Sequence, residues 1–402
     1  MRTYEKYKDS GISWLGKVPE DWEVCKFKYT INIRNGKDYK DVQSDNHNDY
    51  PVYGSGGVFA YAKKYLYNGE ALLLGRKGTI DKPIYIQKKK FWTVDTMFYG
   101  LAIKGNVCKY LYYQALTFPY GRYATSTALP SMTQSDLGNN PICLPSILEQ
   151  QAIANYLDKK TAEIDKIIAE REKKIELLNE LKSSIISRAV TKGINPHAKM
   201  KDSGIDWIGE IPEGWITTKL KYLLHLHNGR AYSQEELLTE GKYKVLRVGN
   251  FFTNDKWYYS NFELEPVKYC NKGDLLYAWS ASFGPYIWDQ DKTIYHYHIW
   301  KVTLEPSYNK KYAYYMLSAL TEYKKSDVHG STMVHVTMES MNNSFITLPP
   351  FQEQCEIARY LDEKLKRLSE ISNDIISEIS FLREYKQSLI SEVVTGKRKV
   401  ID

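Results

Sequence analysis

LPSILEQQAIANYLDKK, from Leu144 to Lys160, returns as LPPFQEQCEIARYLDEK, from Leu348 to Lys364. Each copy runs on through a charged segment rich in leucine and isoleucine, the first to Gly193 and the second to Lys397, at a constant offset of 204 residues. In the first copy apolar residues fall at Leu157, Ile164, Ile168, Ile175, Leu178, Ile185 and Ala189. In the second they fall at Leu361, Leu365, Leu368, Ile375, Ile379, Leu382, Leu389 and Val393. Both sets fit one ladder of alternating four- and three-residue steps, which is a coiled-coil seam. Polar interruptions match too, Lys182 answering Lys386. Leu-Pro ahead of each copy is a start signal, because proline tolerates the first helical turn and not the interior. So narrow an apolar stripe is unfavourable in water. Each helix therefore needs a partner, and the other copy is the nearest one. Over roughly 42 residues, at ~1.5 Å each, such a helix is a rod of about 63 Å.

Outward from the helices, a second repeat opens each half. KDSGISWLGKVPEDW (8–22) matches KDSGIDWIGEIPEGW (201–215) at an offset of 193, and the match continues from Asn35-Gly36-Lys37 to Asn228-Gly229-Arg230. By Gly69-Glu70-Ala71-Leu72-Leu73 and Gly273-Asp274-Leu275-Leu276-Tyr277 the offset is 204, so the second half gains 11 residues in between. The chain is an internal duplication with a period far too long for a solenoid. Its segments are expected at 1–146 (globular), 147–192 (long helix), 193–350 (globular) and 351–402 (long helix). The globular segments are β-rich. FWTVDTMFYGLAI (91–103) and TIYHYHIWKVTL (293–304) alternate aromatic and β-branched residues as strands do, and Tyr53-Gly54-Ser55-Gly56-Gly57 is a turn. Short helices are expected at 109–116 and 310–320, and a linker at 193–198. The fold class is α+β.

The 402 residues suffice for two or three domains, and 43% apolar with 26% charged residues is ordinary for a globular chain. No apolar run nears the ~20 residues of a membrane span, and MRTYEKYKDSG is no signal peptide. Five cysteines, an odd number with no C-x-x-C pair, indicate neither a disulfide framework nor a zinc knuckle. A reduced, cytoplasmic setting is expected. The net charge of +7 sits in the first globular segment, where 20 Lys and Arg face 13 Asp and Glu; residues 193–350 balance at 17 each. A basic excess favours a polyanion partner.

Most catalytic chemistry is excluded. Leu348-Pro349-Pro350-Phe351 has the outline of an amino-methyltransferase motif, but leucine cannot accept the hydrogen bond that such a motif must supply, and the other copy reads Leu-Pro-Ser-Ile. There is no G-x-x-x-x-G-K-[ST] phosphate loop. His225-Leu226-His227 and His296-Tyr297-His298 each put two histidines on one face of a strand, with no carboxylate or cysteine evident to complete a metal site. What survives is binding. Gly75-Arg76-Lys77-Gly78-Thr79 is a basic loop bounded by glycines. Arginine donates twice to guanine in the major groove, and glycines let backbone approach phosphates. The matching loop, Ala278 to Gly284, carries Ser280 and Ser282 but no charge. Arg122 with Thr125, Ser126 and Thr127, and later Ser331 with Thr332, form a second pair of polar loops, and Arg230 follows the repeated Asn-Gly. All of these are candidate DNA contacts. No catalytic or metal residue is expected.

SGI-x-W-[IL]-G-x-[IV]-P-x-x-W at the head of each half, and LP-x-x-x-EQ-x-x-I-A-x-YLD at the head of each long helix, resemble the specificity subunit of type I restriction–modification enzymes. The resemblance covers nearly the whole chain in both copies. It implies two target-recognition domains separated by two long helices packed antiparallel, related by a pseudo-two-fold. Each domain would read one half of a bipartite duplex DNA target. The helices would space the halves and dock two modification subunits that methylate adenine. S-adenosylmethionine, ATP and Mg would be bound by the modification and restriction subunits, and none by this chain, which would be non-catalytic. A coiled-coil scaffold that binds proteins, or a specificity subunit serving a fused nuclease–methyltransferase, would share many of these features.

Overall fold

A computed structural model describes residues 3–122, 130–252, 254–280, 283–327 and 336–400. The chain forms two compact units, 1–172 with 376–402, and 173–375.

In the first unit, β1 (Glu23–Lys26) pairs with β9 (Pro141–Leu144). Between them lie β2 (Ile31–Asn35), β3 (Gln43–Ser44), β4 (Tyr50–Gly54), β5 (Gly57–Ala62), β6 (Tyr67–Gly75), β7 (Ile84–Thr93) and β8 (Met97–Ala102). They make one sheet in the order β2-β8-β6-β7-β4-β5-β3, antiparallel except where β4 meets β7. α1 (Cys108–Ala115) and α2 (Gln134–Gly138) follow, the latter opened by a capping box on Thr133.

The second unit repeats this scheme with a break. β10 (Ile216–Lys219) pairs with β19 (Phe345–Leu348). β11 (Leu224–Asn228), β12 (Tyr243–Leu246), β13 (Tyr258–Ser260), β14 (Tyr269–Cys270), β15 (Leu275–Ala278), β16 (Gly284–Ile287), β17 (Thr293–Tyr295) and β18 (Ile299–Leu304) form two sheets, β11-β18-β15-β16 and β13-β12-β17-β14. The ten-residue β7 ties the first unit into one sheet; here its place is taken by β16 and β17, which Trp288–Lys292 interrupts. α4 (Lys310–Asp327) runs past the expected end at 320, and α5 (Met338–Asn342) is capped by Thr337.

The two aromatic runs do not form single strands. Each splits around three residues, 94–96 and 296–298, whose flanking carbonyls receive loop N–H groups instead of ladder partners. His296 and His298 therefore lie in a turn and not on one strand face.

α3 (Ile147–Lys192) and α6 (Phe351–Val394) are the long helices, of 46 and 44 residues. Every seam position named from the sequence is buried or half-buried. Leu157, Ile164, Ile168, Leu361, Leu368, Ile375, Ile379 and Leu389 are buried; Ile175, Leu178, Ile185, Leu365 and Leu382 are half-buried. The pairing is antiparallel within each unit. In the first, Asp165 meets Lys386 at 2.7 Å and Arg171 meets Glu378 at 2.8 Å. In the second, Lys182 Nζ donates to Ser372 Oγ at 3.5 Å, while Ile185 and Leu365 pack into a core that holds Ala189, Val190 and Leu361.

The repeated motifs are the joints of this frame. Trp22 Nε1 donates to Glu149 and Trp215 Nε1 to Glu353, joining head motif to helix motif. Gln150 accepts the Val107 N–H and donates to the Pro145 carbonyl; Gln354 treats Asn309 and Pro349 alike. Tyr113 donates to Asp158 at 2.6 Å, Tyr315 to Asp362 at 2.7 Å. Gly193 and Gly396 follow the helices at φ +72° and +74°, in the left-handed region that favours glycine at a helix end. Among the described residues no helix is long and apolar enough to cross a membrane.

Candidate nucleic-acid interface

The basic loop of the first unit starts where β6 must turn sharply. A Cβ on Gly75 would sit 2.5 Å from the Thr79 carbonyl oxygen and 2.7 Å from Ile80 Cα, so only glycine fits. Gly78 has φ +81°. The N–H groups of Arg76 and Lys77 both donate to the Thr96 carbonyl (2.9 and 3.2 Å), and that of Gly78 to the Pro130 carbonyl at 2.9 Å. These glycines fold the loop, and the N–H groups of Arg76, Lys77 and Gly78 are spent within the protein instead of being offered to phosphate. The side chains are what it offers. Lys77 is exposed, and Arg76 and Thr79 are half-buried. Arg76 Nη1 donates to the Asp95 carbonyl at 3.3 Å, and its guanidinium lies 5.8 Å from the Phe98 ring centre. Arg76 and Lys77 line a cleft of about 290 Å³ with Asn35, Phe98, Met132 and Gln134.

Arg122 is exposed at the end of a short 3-10 turn. Thr125, Ser126 and Thr127 lie outside the described residues. Further along, Met132 N–H donates to the Arg76 carbonyl at 2.9 Å while Lys77 bridges Ser131. Residues 130–132 are thus laced to the basic loop by backbone.

In the second unit Trp279 follows β15. Its N–H donates to the His298 carbonyl (3.1 Å), its carbonyl accepts from Val336 (3.3 Å), and its indole Nε1 donates to the Tyr297 carbonyl (2.7 Å). The ring stacks on Trp300 at 6.0 Å and 20°. Every partner has its counterpart around Arg76. Thr96 and His298 each immediately precede the last strand of the sheet, and Asp95 and Tyr297 come one residue earlier. Met132 and Val336 precede the capping threonines. Phe98 and Trp300 are second in β8 and β18, opposite Asn35 and Asn228. Trp279 thus occupies the place of Arg76. The sequence offset of 204 pairs Arg76 with Ser280 instead; Ser280 is half-buried beside Trp279. Ser282, Ser331 and Thr332 lie outside the described residues.

The surroundings of Trp279 are aromatic. His298, Tyr297 and His296 crowd together beside Trp279, with ring centres 4.0 to 4.8 Å apart. Burial, then His298 and Arg247, lower the His296 pKa to about 4. Around neutral pH His296 is therefore an uncharged imidazole. Arg230 is pinned by its own domain. Its Nη2 donates to Glu236 at 2.6 Å, and its guanidinium lies 4.2 Å from the Phe262 ring and 4.9 Å from that of Tyr232.

A model of the family described as "Type I restriction modification DNA specificity domain" matches residues 19–177 and again 212–380. The chain belongs to this family. It is 24% identical to the type I restriction enzyme MjaVIII specificity subunit of Methanocaldococcus jannaschii, over 96% of this chain and 94% of that one. It is 26% identical to the putative MjaX specificity subunit of the same organism, over 96% of each. A solved chain of a type I R-M system shares the fold, with a TM-score of 0.69 at 14% identity over 94% of this chain and 98% of that one. As a specificity subunit, the chain recognises a DNA target, and its two duplicated units carry its target-recognition domains. Two of its neighbour relations escaped the sequence. Trp279 was hidden because its equivalence to Arg76 depends on contacts with His298 and Val336. Glu305 faces His225 at 2.7 Å across the β11–β18 ladder, although 80 residues apart in the chain. Among the described residues no group of three or more His, Cys, Asp and Glu is placed to hold a metal.

Proposed function

We propose that each domain of this specificity subunit reads one half of a bipartite duplex DNA target, that 1–146 and 193–350 are the reading segments, and that α3 and α6 space the halves and dock two modification subunits. Restriction subunits would join the same complex. S-adenosylmethionine, ATP and Mg belong on those partners, and this chain adds no catalytic group. The observation that carries the reading is the duplicated loop site, one backbone frame holding Arg76 in one unit and Trp279 in the other. One frame with two occupants suits one task performed on two different sequences. Arg76, Lys77 and Arg122 are the candidate contacts in the first domain, with Ser280 and Trp279 in the second. Thr79 borders the same loop, and Arg230 acts through Glu236 to hold the second domain's shape. The basic excess of residues 1–146 adds phosphate attraction, which weakens with salt.

The test is methylation mapping of genomic DNA from cells that express this chain with its modification subunit. A motif of two specific blocks separated by unspecified bases is expected. A single contiguous motif would refute the bipartite reading.

A further inference from the structure

We propose that the position held by Arg76 and Trp279 is the specificity slot of each domain, with a guanine read in the first half-site and a thymine methyl group in the second. This rests on the reading above, that the two domains contact DNA.

The slot is built alike in both units. Its N–H and carbonyl are tied to two different loops, so the backbone cannot shift to suit a base. Its side chain leans on an aromatic ring from the neighbouring strand, Phe98 or Trp300. One side-chain nitrogen is anchored to a turn carbonyl, Asp95 or Tyr297. Such support fixes a side chain's direction before any ligand arrives. The two occupants differ in what remains to offer. Arginine has five N–H donors in a planar fork. With Nη1 held by Asp95, the fork still presents Nη2 and Nε, and two parallel donors match guanine O6 and N7. Tryptophan has a single donor, Nε1. Tyr297 takes it at 2.7 Å. The indole is then left with no hydrogen bond to make to a base edge, and its apolar face suits the C5-methyl of thymine. The ring of Tyr297 lies beside the indole, with ring centres 5.9 Å apart. Around Arg76, Asp95 and Thr96 stand in place of Tyr297 and His298.

The experiment is methylation mapping with the full chain and its modification subunit, comparing wild type, Arg76→Gln, Trp279→Ala and Trp279→Arg. Arg76→Gln is expected to relax a guanine position of one half-site by about tenfold or more, leaving the other half untouched. Trp279→Ala is expected to relax one position of the other half-site, and Trp279→Arg to shift that position toward guanine. Arg76→Gln lies at a half-exposed side chain, so it remains informative if either tryptophan variant fails to fold. An unchanged motif in Arg76→Gln or in Trp279→Ala overturns the proposal, as does relaxation of both half-sites by one variant. Failure of the wild type to yield a two-part motif would strike the underlying reading instead.

Discussion

Trp215 Nε1 donates to the Glu353 carboxylate at 2.9 Å, across 138 residues of chain. Trp22 and Glu149 repeat the bond at 3.1 Å, and Glu149 also accepts from the Tyr4 hydroxyl at 2.6 Å. Trp215 is among the most buried side chains, so its N–H has no water to fall back on. A hydrogen bond to a charged group contributes about 1.5–3 kcal/mol, and an abandoned buried donor costs more than an exposed one. Glu353→Ala is therefore expected to lower stability by about that amount, and Glu149→Ala by more, having two partners. Glu353→Gln keeps an acceptor and should lose less. Denaturant unfolding of the full chain measures all three.

Burial separates seam positions from the outer face of the long helices. Leu361 is 0% exposed, whereas Leu177 is 53% exposed. Leu361→Ala is expected to cost about 2–5 kcal/mol through lost transfer energy and an unfilled cavity. Leu177→Ala should stay within about 0.5 kcal/mol. Equal losses in a denaturation series would mean that the ladder does not mark the packed face.

This contrast shows what the sequence made legible. Heptad periodicity reports burial directly, so all the seam residues from Leu157 to Leu389 lie on the inner face. Between Arg171 and Ile186 none of α3 is fully buried, a gradation that periodicity cannot express. The motif pairs Trp22–Glu149 and Gln150–Pro145 were visible as repeats, but their role as joints needed distances. The loop site was half legible. Gly75-Arg76-Lys77-Gly78 stood out by composition, yet the N–H groups of Arg76, Lys77 and Gly78 are already bonded to carbonyls of the protein. Its partner was misaligned by one residue, because insertions move the offset between the halves, and only backbone hydrogen bonding restores the register from Ser280 to Trp279.

Two glycines repeated at the start of each sheet bear a sharper load. A Cβ on Gly36 would lie 2.0 Å from the Val94 carbonyl oxygen, and one on Gly229 2.3 Å from that of Tyr295. Both obstacles are backbone, which cannot rotate away. Gly36→Ala and Gly229→Ala are each expected to destabilise by about 1–3 kcal/mol or more through overpacking. Gly56→Ala, with nothing within 4 Å, is the matched control. Thermal unfolding distinguishes them.

Acid should weaken the second unit through His296. Burial, His298 and Arg247 bring its pKa from 6.5 down to about 4. Between those values the unfolded chain binds a proton that the folded chain refuses, so stability falls as pH falls. The contribution is fully present above about 6.5 and is lost progressively down to about 4. His227, lowered chiefly by burial and then by His225, acts in the same direction. His296→Gln should flatten part of this slope. Denaturant midpoints of both proteins between pH 7.5 and 4.5 give the comparison, and identical slopes would refute the assignment.

If α3 and α6 set the distance between half-sites, changing their length must change the spacer and nothing else. Each helix is continuous, over 46 and 44 residues. Removing one heptad from each, within Ile164–Ile185 and within Leu368–Leu389, preserves the seam because the pattern repeats every seven residues. It shortens each helix by about 10.5 Å, close to three base pairs at ~3.4 Å per step. Removing a heptad from α3 alone misaligns Arg171 from Glu378 and Asp165 from Lys386, and is expected to abolish assembly or disturb the spacing. The paired deletion should give methylated sites whose two blocks are unchanged and whose spacer is about three base pairs shorter. Altered bases at an unchanged spacer would mean that the helices carry no metric of the target.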